Sequence, residues 1–311
     1  MHELFLGKVK GGAMKICFLL GMLLFQMGLV AGSCLAVEER SEPVKSVVLS
    51  GGPLSDWSAQ ASIGYLPSAA LHGAPGDAGL TDYRLKLVRN IKLDDHVTLT
   101  LGGGYGLKHS EASSQAALPQ DLQVLFLEAG ARYRINDRSF ASIKLFPGFY
   151  SDFKDLGGDD LRMPVLALGG YSFDNGFSVV GGFIYRFGYH ASRFIPALGF
   201  SYQPDQYWRF DLIAPRPGIT YTASRQFQLF VAGDFASDEY ELKDRSLGAK
   251  VIKYSDYKVM TGITYLPRPT VQVSTSVGYA FERRFVFFDG NRPELRVGDV
   301  PFFKVSLDVG W

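Results

Sequence analysis

The chain has 311 residues and a formal net charge of +1 from 32 Lys+Arg and 31 Asp+Glu, so it lacks the basic footprint of a nucleic-acid binder. Hydrophobic residues at 47% and charged residues at 20% argue against extensive disorder. A mean hydropathy of +0.04, without several long apolar runs, argues against a polytopic helical membrane protein. The unusual figures are 14% aromatic residues and 35 glycines, a composition that favours β-strands.

The first segment reads as an address. Residues Ile16 to Val30 are almost wholly apolar, follow Lys8, Lys10 and Lys15, and precede Ala31-Gly32-Ser33. That is the charged, apolar and small-residue order of a secretory signal peptide. Residues 1–36 are assigned to it, with 1–13 an upstream extension if Met14 is the start. Cleavage is expected after Ala36 or after Ser33. The stretch Ala31-Gly32-Ser33-Cys34 resembles a bacterial lipoprotein box, which would make Cys34 a lipid-anchored terminus; a retained signal anchor is a further reading. Both cysteines, Cys17 and Cys34, lie here, so the body has no thiol for a zinc finger, a CxxC pair or a nucleophile. Residues 37–56 read as a periplasmic lead-in.

From Trp57 the hydrophobic pattern has period two, the β signal. Val97, Leu99, Leu101 and Tyr105 alternate with Thr98, Thr100, Gly102 and Gly104. Fourteen strands are expected: 57–66, 81–93, 96–108, 122–135, 139–151, 162–173, 177–189, 193–202, 207–214, 217–223, 226–235, 250–265, 270–283 and 302–311. Many are 9–13 residues long, the length a strand needs to cross a bilayer. The weakest are 207–214 and 217–223, short and joined through Pro215 and Pro217, so twelve strands is the alternative. Turns such as Asp94-Asp95 and Asp174-Asn175-Gly176 alternate with long polar linkers such as 67–80, 236–249 and 284–301. Short turns at one end and long loops at the other describe a closed, antiparallel, up-and-down transmembrane β-barrel over 57–311.

The last strand sharpens this. Phe303, Val305, Leu307, Val309 and Trp311 alternate with polar residues, and the sequence stops on the aromatic. This resembles the C-terminal signal of bacterial outer-membrane barrels, which implies recognition by the barrel-assembly machinery, a Gram-negative outer-membrane location and contact with its lipid. Within that class, Pro215-Arg216-Pro217-Gly218-Ile219-Thr220-Tyr221 after Tyr202-Gln203-Pro204 is similar to an uncharacterised outer-membrane barrel family of unknown function.

Alternation sorts the side chains. Ile143, Val165, Val179, Leu198, Val231 and Leu307 are among those assigned to lipid, with tyrosines near strand ends as interfacial girdles. Arg84, Lys86, Arg132, Arg134, Lys144, Arg186, Arg209, Lys258 and Lys304 are assigned to the lumen, as are Glu128, Asp211, Asp234, Glu282 and Asp308. Nine basic against five acidic residues implies a pore or channel for small solutes with a mild anion preference. A lumen filled by ion pairs and loops, in a structural or surface-interaction barrel, is the alternative.

No catalytic motif stands out, and no cofactor, metal or nucleic-acid partner is expected. His190-Ala191-Ser192 resembles the His-x-Ser of outer-membrane lipid A deacylases, which implies a His190 base and a Ser192 nucleophile. Arg193 stands where that pattern has Asn, and no nearby acid completes a triad. Asp152, Asp155, Asp159 and Asp160 read as a solvated loop cluster.

Overall fold

The computed structural model describes residues 56–214 and 216–311. The signal peptide, Cys34 and residues 37–55 of the lead-in lie outside the described residues. The described chain forms sixteen strands: β1 (Trp57–His72), β2 (Asp77–Lys92), β3 (Val97–Ala112), β4 (Asp121–Arg134), β5 (Ser139–Leu145), β6 (Gly148–Ser151), β7 (Leu161–Ser172), β8 (Phe177–Phe187), β9 (Phe194–Tyr202), β10 (Trp208–Ile213), β11 (Gly218–Thr222), β12 (Phe227–Glu241), β13 (Val251–Arg268), β14 (Val271–Phe288), β15 (Leu295–Val297) and β16 (Val300–Gly310).

Two pairs of these are single wall strands interrupted once. β5 and β6 both lie between β4 and β7, with Ile143 and Phe149 each paired to both neighbours. The break falls at Phe146-Pro147, where proline has no N–H for the ladder. β15 and β16 both lie between β14 and β1. The wall therefore has fourteen strands, each antiparallel to its neighbours, and closes where β16 pairs β1 through Ala61 and Leu307. The short pair is part of it: Phe210 of β10 pairs Tyr202 and Ile219, and Ile219 of β11 pairs Val231.

The β10–β11 corner spans only six and five residues, fewer than a bilayer crossing needs. Two of its backbone donors beyond the ladder are nonetheless paired. Arg216 N–H donates to the Ile213 carbonyl at 3.2 Å, Gly233 N–H donates to the Pro217 carbonyl at 2.7 Å, and Pro217 has no N–H to place. An unpaired donor at this depth would cost several kcal/mol.

The outward face is apolar, with Leu127 66% and Leu198 79% exposed. A continuous surface of this kind belongs against lipid. Near the short turns Tyr171, Phe173, Phe177, Phe200, Tyr202 and Phe210 form a chain of ring contacts, continued by Trp208 and Tyr221. Phe183 with Phe194, and Phe235 with Tyr257 and Phe281, make corresponding contacts nearer the long loops.

Much of what reads as loop in the sequence is strand. β1 runs through Pro67 because a bulge between Leu66 and Ala69 absorbs one residue, and β12 and β14 extend well past their expected long-loop ends. At this end the extensions and the adjoining strand ends turn apolar side chains inward. Leu66, Leu80, Ile252, Tyr254, Phe285 and Phe302 are all less than 5% exposed and belong to one hydrophobic core. The long-loop end of the barrel is thus packed like a protein interior and forms a cap.

The cap is laced to the wall. Glu241 of β12 pairs in parallel with Ser151 of β6. The Asp152 carboxylate accepts the N–H groups of Lys243 and Asp244 at 3.1 and 3.3 Å, and Lys154 pairs with Asp244 at 2.6 Å. Arg292 stacks on Phe287 and donates to the carbonyls of Ala116, Ala117 and Leu247, tying three long connections together. The expectation of a solvated acidic cluster holds for Asp155 and Asp159, which are exposed, and is corrected for the other two. Asp152 is 7% exposed and Asp160 fully buried, because both accept backbone N–H groups of the folded loops.

Candidate functional site in the barrel lumen

Below the cap the lumen carries charge. The Glu128 carboxylate on β4 lies between two ammonium groups, 2.6 Å from Lys86 Nζ on β2 and 2.9 Å from Lys144 Nζ on β5. The carboxylate is fully buried, while both lysine side chains remain 34% exposed to the interior.

Local sequence makes this triad possible. Lys86 and Glu128 are two strands apart, roughly 10 Å at ordinary strand spacing. The inward positions between them on β3 are Gly102, paired with Val88 and Glu128, and Gly104, paired with Lys86 and Phe126. A Cβ on Gly102 would lie 2.4 Å from the Leu87 carbonyl oxygen, and one on Gly104 would lie 2.6 Å from Phe126 Cζ. Bare backbone leaves the space the crossing side chains use.

Most of the other lumen charges are paired too. Arg84 and Lys108 share Asp82 at 3.2 and 2.7 Å, Arg209 meets Asp211 at 2.7 Å, Arg216 meets Asp234 at 3.0 Å and Lys258 meets Asp256 at 2.5 Å. Arg132 stacks 4.1 Å above Phe140. Gln60 Nε2 donates to Asp308 at 2.7 Å. Arg134 sits at the short-turn rim, where its carbonyl accepts from His96 Nδ1 at 2.7 Å.

Two expected lumen residues behave otherwise. Glu282 is 56% exposed and pairs with Arg284 at 2.7 Å. A bulge adds one residue to β14 opposite Ser255 and Tyr257, Glu282 takes φ +51°, and the alternation slips so that buried Arg283 takes the inward place. Arg186 is buried at the cap, stacked 3.8 Å from Tyr189 and donating to the Ser237 carbonyl at 2.8 Å, so it anchors the cap instead of facing open lumen. The acids Asp82 and Asp256 were missed by the sequence reading. Both were legible, since each lies two residues before an assigned base, Arg84 or Lys258, on the same strand face.

The hydrolase constellation does not assemble. His190 Nδ1 and Nε2 face Glu239 at 3.5 Å and Asp289 at 3.2 Å, so neither ring nitrogen is directed to Ser192. The Glu239 carboxylate also accepts the N–H groups of His190 and Ala191 at 2.7 and 3.0 Å. This cluster holds the β8–β9 loop against β12. No group of His, Cys, Asp or Glu suited to a metal occurs among the described residues.

A closed fourteen-strand wall, apolar and aromatic outside and ion-paired inside, is a transmembrane β-barrel of the outer-membrane type. Residues 83–297 match the family described as Domain of unknown function (DUF6268), and the chain belongs to that family. Among solved structures, the COG4313 outer membrane channel from Pseudomonas putida F1 is 13% identical, with 87% of this chain and 99% of that one covered at a TM-score of 0.47. The translocator domain of autotransporter NalP from Neisseria meningitidis is 13% identical, with 83% and 89% covered at 0.37. The TodX monoaromatic hydrocarbon channel is 10% identical, with 81% and 88% covered at 0.40. Likeness at this level carries nothing about cargo. No curated protein sequence matches the chain.

Proposed function

We propose that this protein is a channel of the Gram-negative outer membrane, passing small solutes with a mild preference for anions and gated at its long-loop end by the cap. It is not an enzyme in this reading. The observation that carries it is the Lys86–Glu128–Lys144 triad, which presents two half-exposed ammonium groups around one buried carboxylate and so leaves net positive charge facing the interior. Basic linings favour anions. On the same reading, Phe303, Val305, Leu307, Val309 and Trp311 form the strand recognised by the assembly machinery, and residues 1–36 are removed on export.

The apolar cap favours a second reading, a sealed barrel that presents its outer surface to partners. Planar-bilayer recording of the refolded protein in a potassium chloride gradient separates the two. The channel reading expects discrete conductance steps and a reversal potential displaced toward that of chloride. No steps, both in the wild type and after residues 243–249 are replaced by a short Gly-Ser link, would leave only the sealed barrel.

A further inference from the structure

The lumen is not uniformly polar. β7, β8 and β9 present no charge to it between the cap and the short turns. Their inward positions there are Leu166 and Leu168 on β7, Val180 and Ile184 on β8, and Ile195 and Ala197 on β9, interspersed with glycine, serine and proline. The register places them in continuous rows. Lys144 pairs Leu166, Leu166 pairs Ile184, and Ile184 pairs Ile195. One step along, Leu168 pairs Gly182, which pairs Ala197.

Strands of a water-filled barrel alternate apolar outside and polar inside. Here the outward partners Ala167, Phe183 and Leu198 are apolar as well, so these strands depart from the rule on the lumen side. Packing accounts for part of the departure: Val180 and Ile213 are buried together against Phe140 and Leu168. It does not account for Leu166, Ile184 and Ile195, which are only half-buried, or for Gly182, which is exposed between Leu168 and Ala197. An apolar surface about three strands wide, roughly 10–15 Å, therefore lies open beside the exposed ammonium of Lys144.

We propose that the lumen holds a binding site for an amphipathic organic carboxylate, with its head on Lys144 and Lys86 and its aliphatic tail across Leu166, Ile184 and Ile195. Charge complementarity selects the anion, because Glu128 neutralises only one of the two ammonium groups. The apolar row selects the tail, because a small hydrated anion gains nothing from it. The proposal deepens the channel reading by naming a solute class and rests on that reading for its role in passage.

The test is octanoate binding to the full barrel in lipid nanodiscs, against empty nanodiscs, with acetate and octylammonium as comparison probes. Saturable octanoate binding above the empty-disc background is expected, with none for acetate or octylammonium. Lys144→Gln is expected to weaken octanoate about tenfold, the loss of one charge-assisted contact, and Ile184→Asn about fivefold, the loss of part of the apolar contact. Octylammonium saturating as tightly as octanoate would overturn the site, since that is partition without charge selection. So would octanoate affinity unchanged in both variants. Should Lys144→Gln fail to fold, Ile184→Asn and the probe comparison still decide. Chloride flux from loaded liposomes keeps the two readings apart: flux without octanoate binding removes the site and keeps the channel, and binding without flux does the reverse.

Discussion

Trp57 and Trp311 exchange both backbone hydrogen bonds at 3.0 Å, and their rings lie 6.4 Å apart and only 4° from parallel. They clamp the seam where the last strand meets the first. Deleting Trp311 removes two hydrogen bonds and a ring pair worth about 1 kcal/mol, at the edge that must close for no strand to stay unpaired in lipid. The fraction of membrane protein that resists unfolding in cold detergent on a gel is expected to fall. Trp57→Ala alone, which keeps the backbone pairing, is expected to lower it less. Equal folded fractions in the deletion and the wild type would remove the seam's role.

Glu128→Gln leaves Lys86 and Lys144 facing each other with no carboxylate between them. Because both ammonium groups reach interior water, the stability cost is expected at about 1–3 kcal/mol, below the range of about 3–5 kcal/mol for breaking a fully buried charge pair. Chloride preference in the reversal-potential measurement is expected to rise. A shift toward cations would contradict the assignment of these lysines to the lumen.

Gly102→Val places a branched side chain where its Cβ alone would meet the Leu87 carbonyl oxygen at 2.4 Å. Backbone cannot yield as a side-chain end can, so the β2–β3 pairing must shift. Refolding yield is expected to collapse. Gly158→Ala, where a Cβ meets nothing within 4 Å, is expected to refold as the wild type does.

Arg292→Ala frees the carbonyls of Ala116, Ala117 and Leu247 and removes the cover over Phe287. The cap is expected to loosen while the wall stands. Protease cleavage within residues 242–249 should speed up several-fold, and open time in bilayer recording should lengthen. Unchanged cleavage would show that the apolar core alone holds the cap.

The Lys154–Asp244 pair gives the cap a defined acid limit. Hydrogen bonds from Lys154 and Ser246 hold the Asp244 carboxyl down at about 2, against an ordinary 3.8. A depressed carboxyl contributes above its unfolded value and loses that contribution as pH falls through its folded one. Cleavage of the cap loop is therefore expected to be flat from pH 7 to about 4 and to rise between about 4 and 2, read with a neutral protease at the upper end and an acid protease at the lower, each scaled to its cleavage of an unfolded substrate. Asp244→Asn should show the faster cleavage already at neutral pH.

Alternation along the chain is enough to specify the wall. A two-residue period survives averaging, because lipid on one side and lumen on the other force every second side chain to a common fate. Leu127 and Leu198 could be assigned outward, and Lys86, Glu128 and Lys144 inward, from phase alone. Even the doubtful strands at 207–214 and 217–223 keep that phase. Where phase fails, three-dimensional packing sets the outcome. The extra residue opposite Ser255 and Tyr257 exchanges Glu282 for Arg283, and the bulge at Leu66 carries β1 through a proline into a cap that composition reads as loop. Packing also sets the neighbours. The closeness of Lys144 to Leu166, and of Asp152 to Lys243, depends on which strands pair across long connections, and alternation along one strand carries no information about the strand beside it.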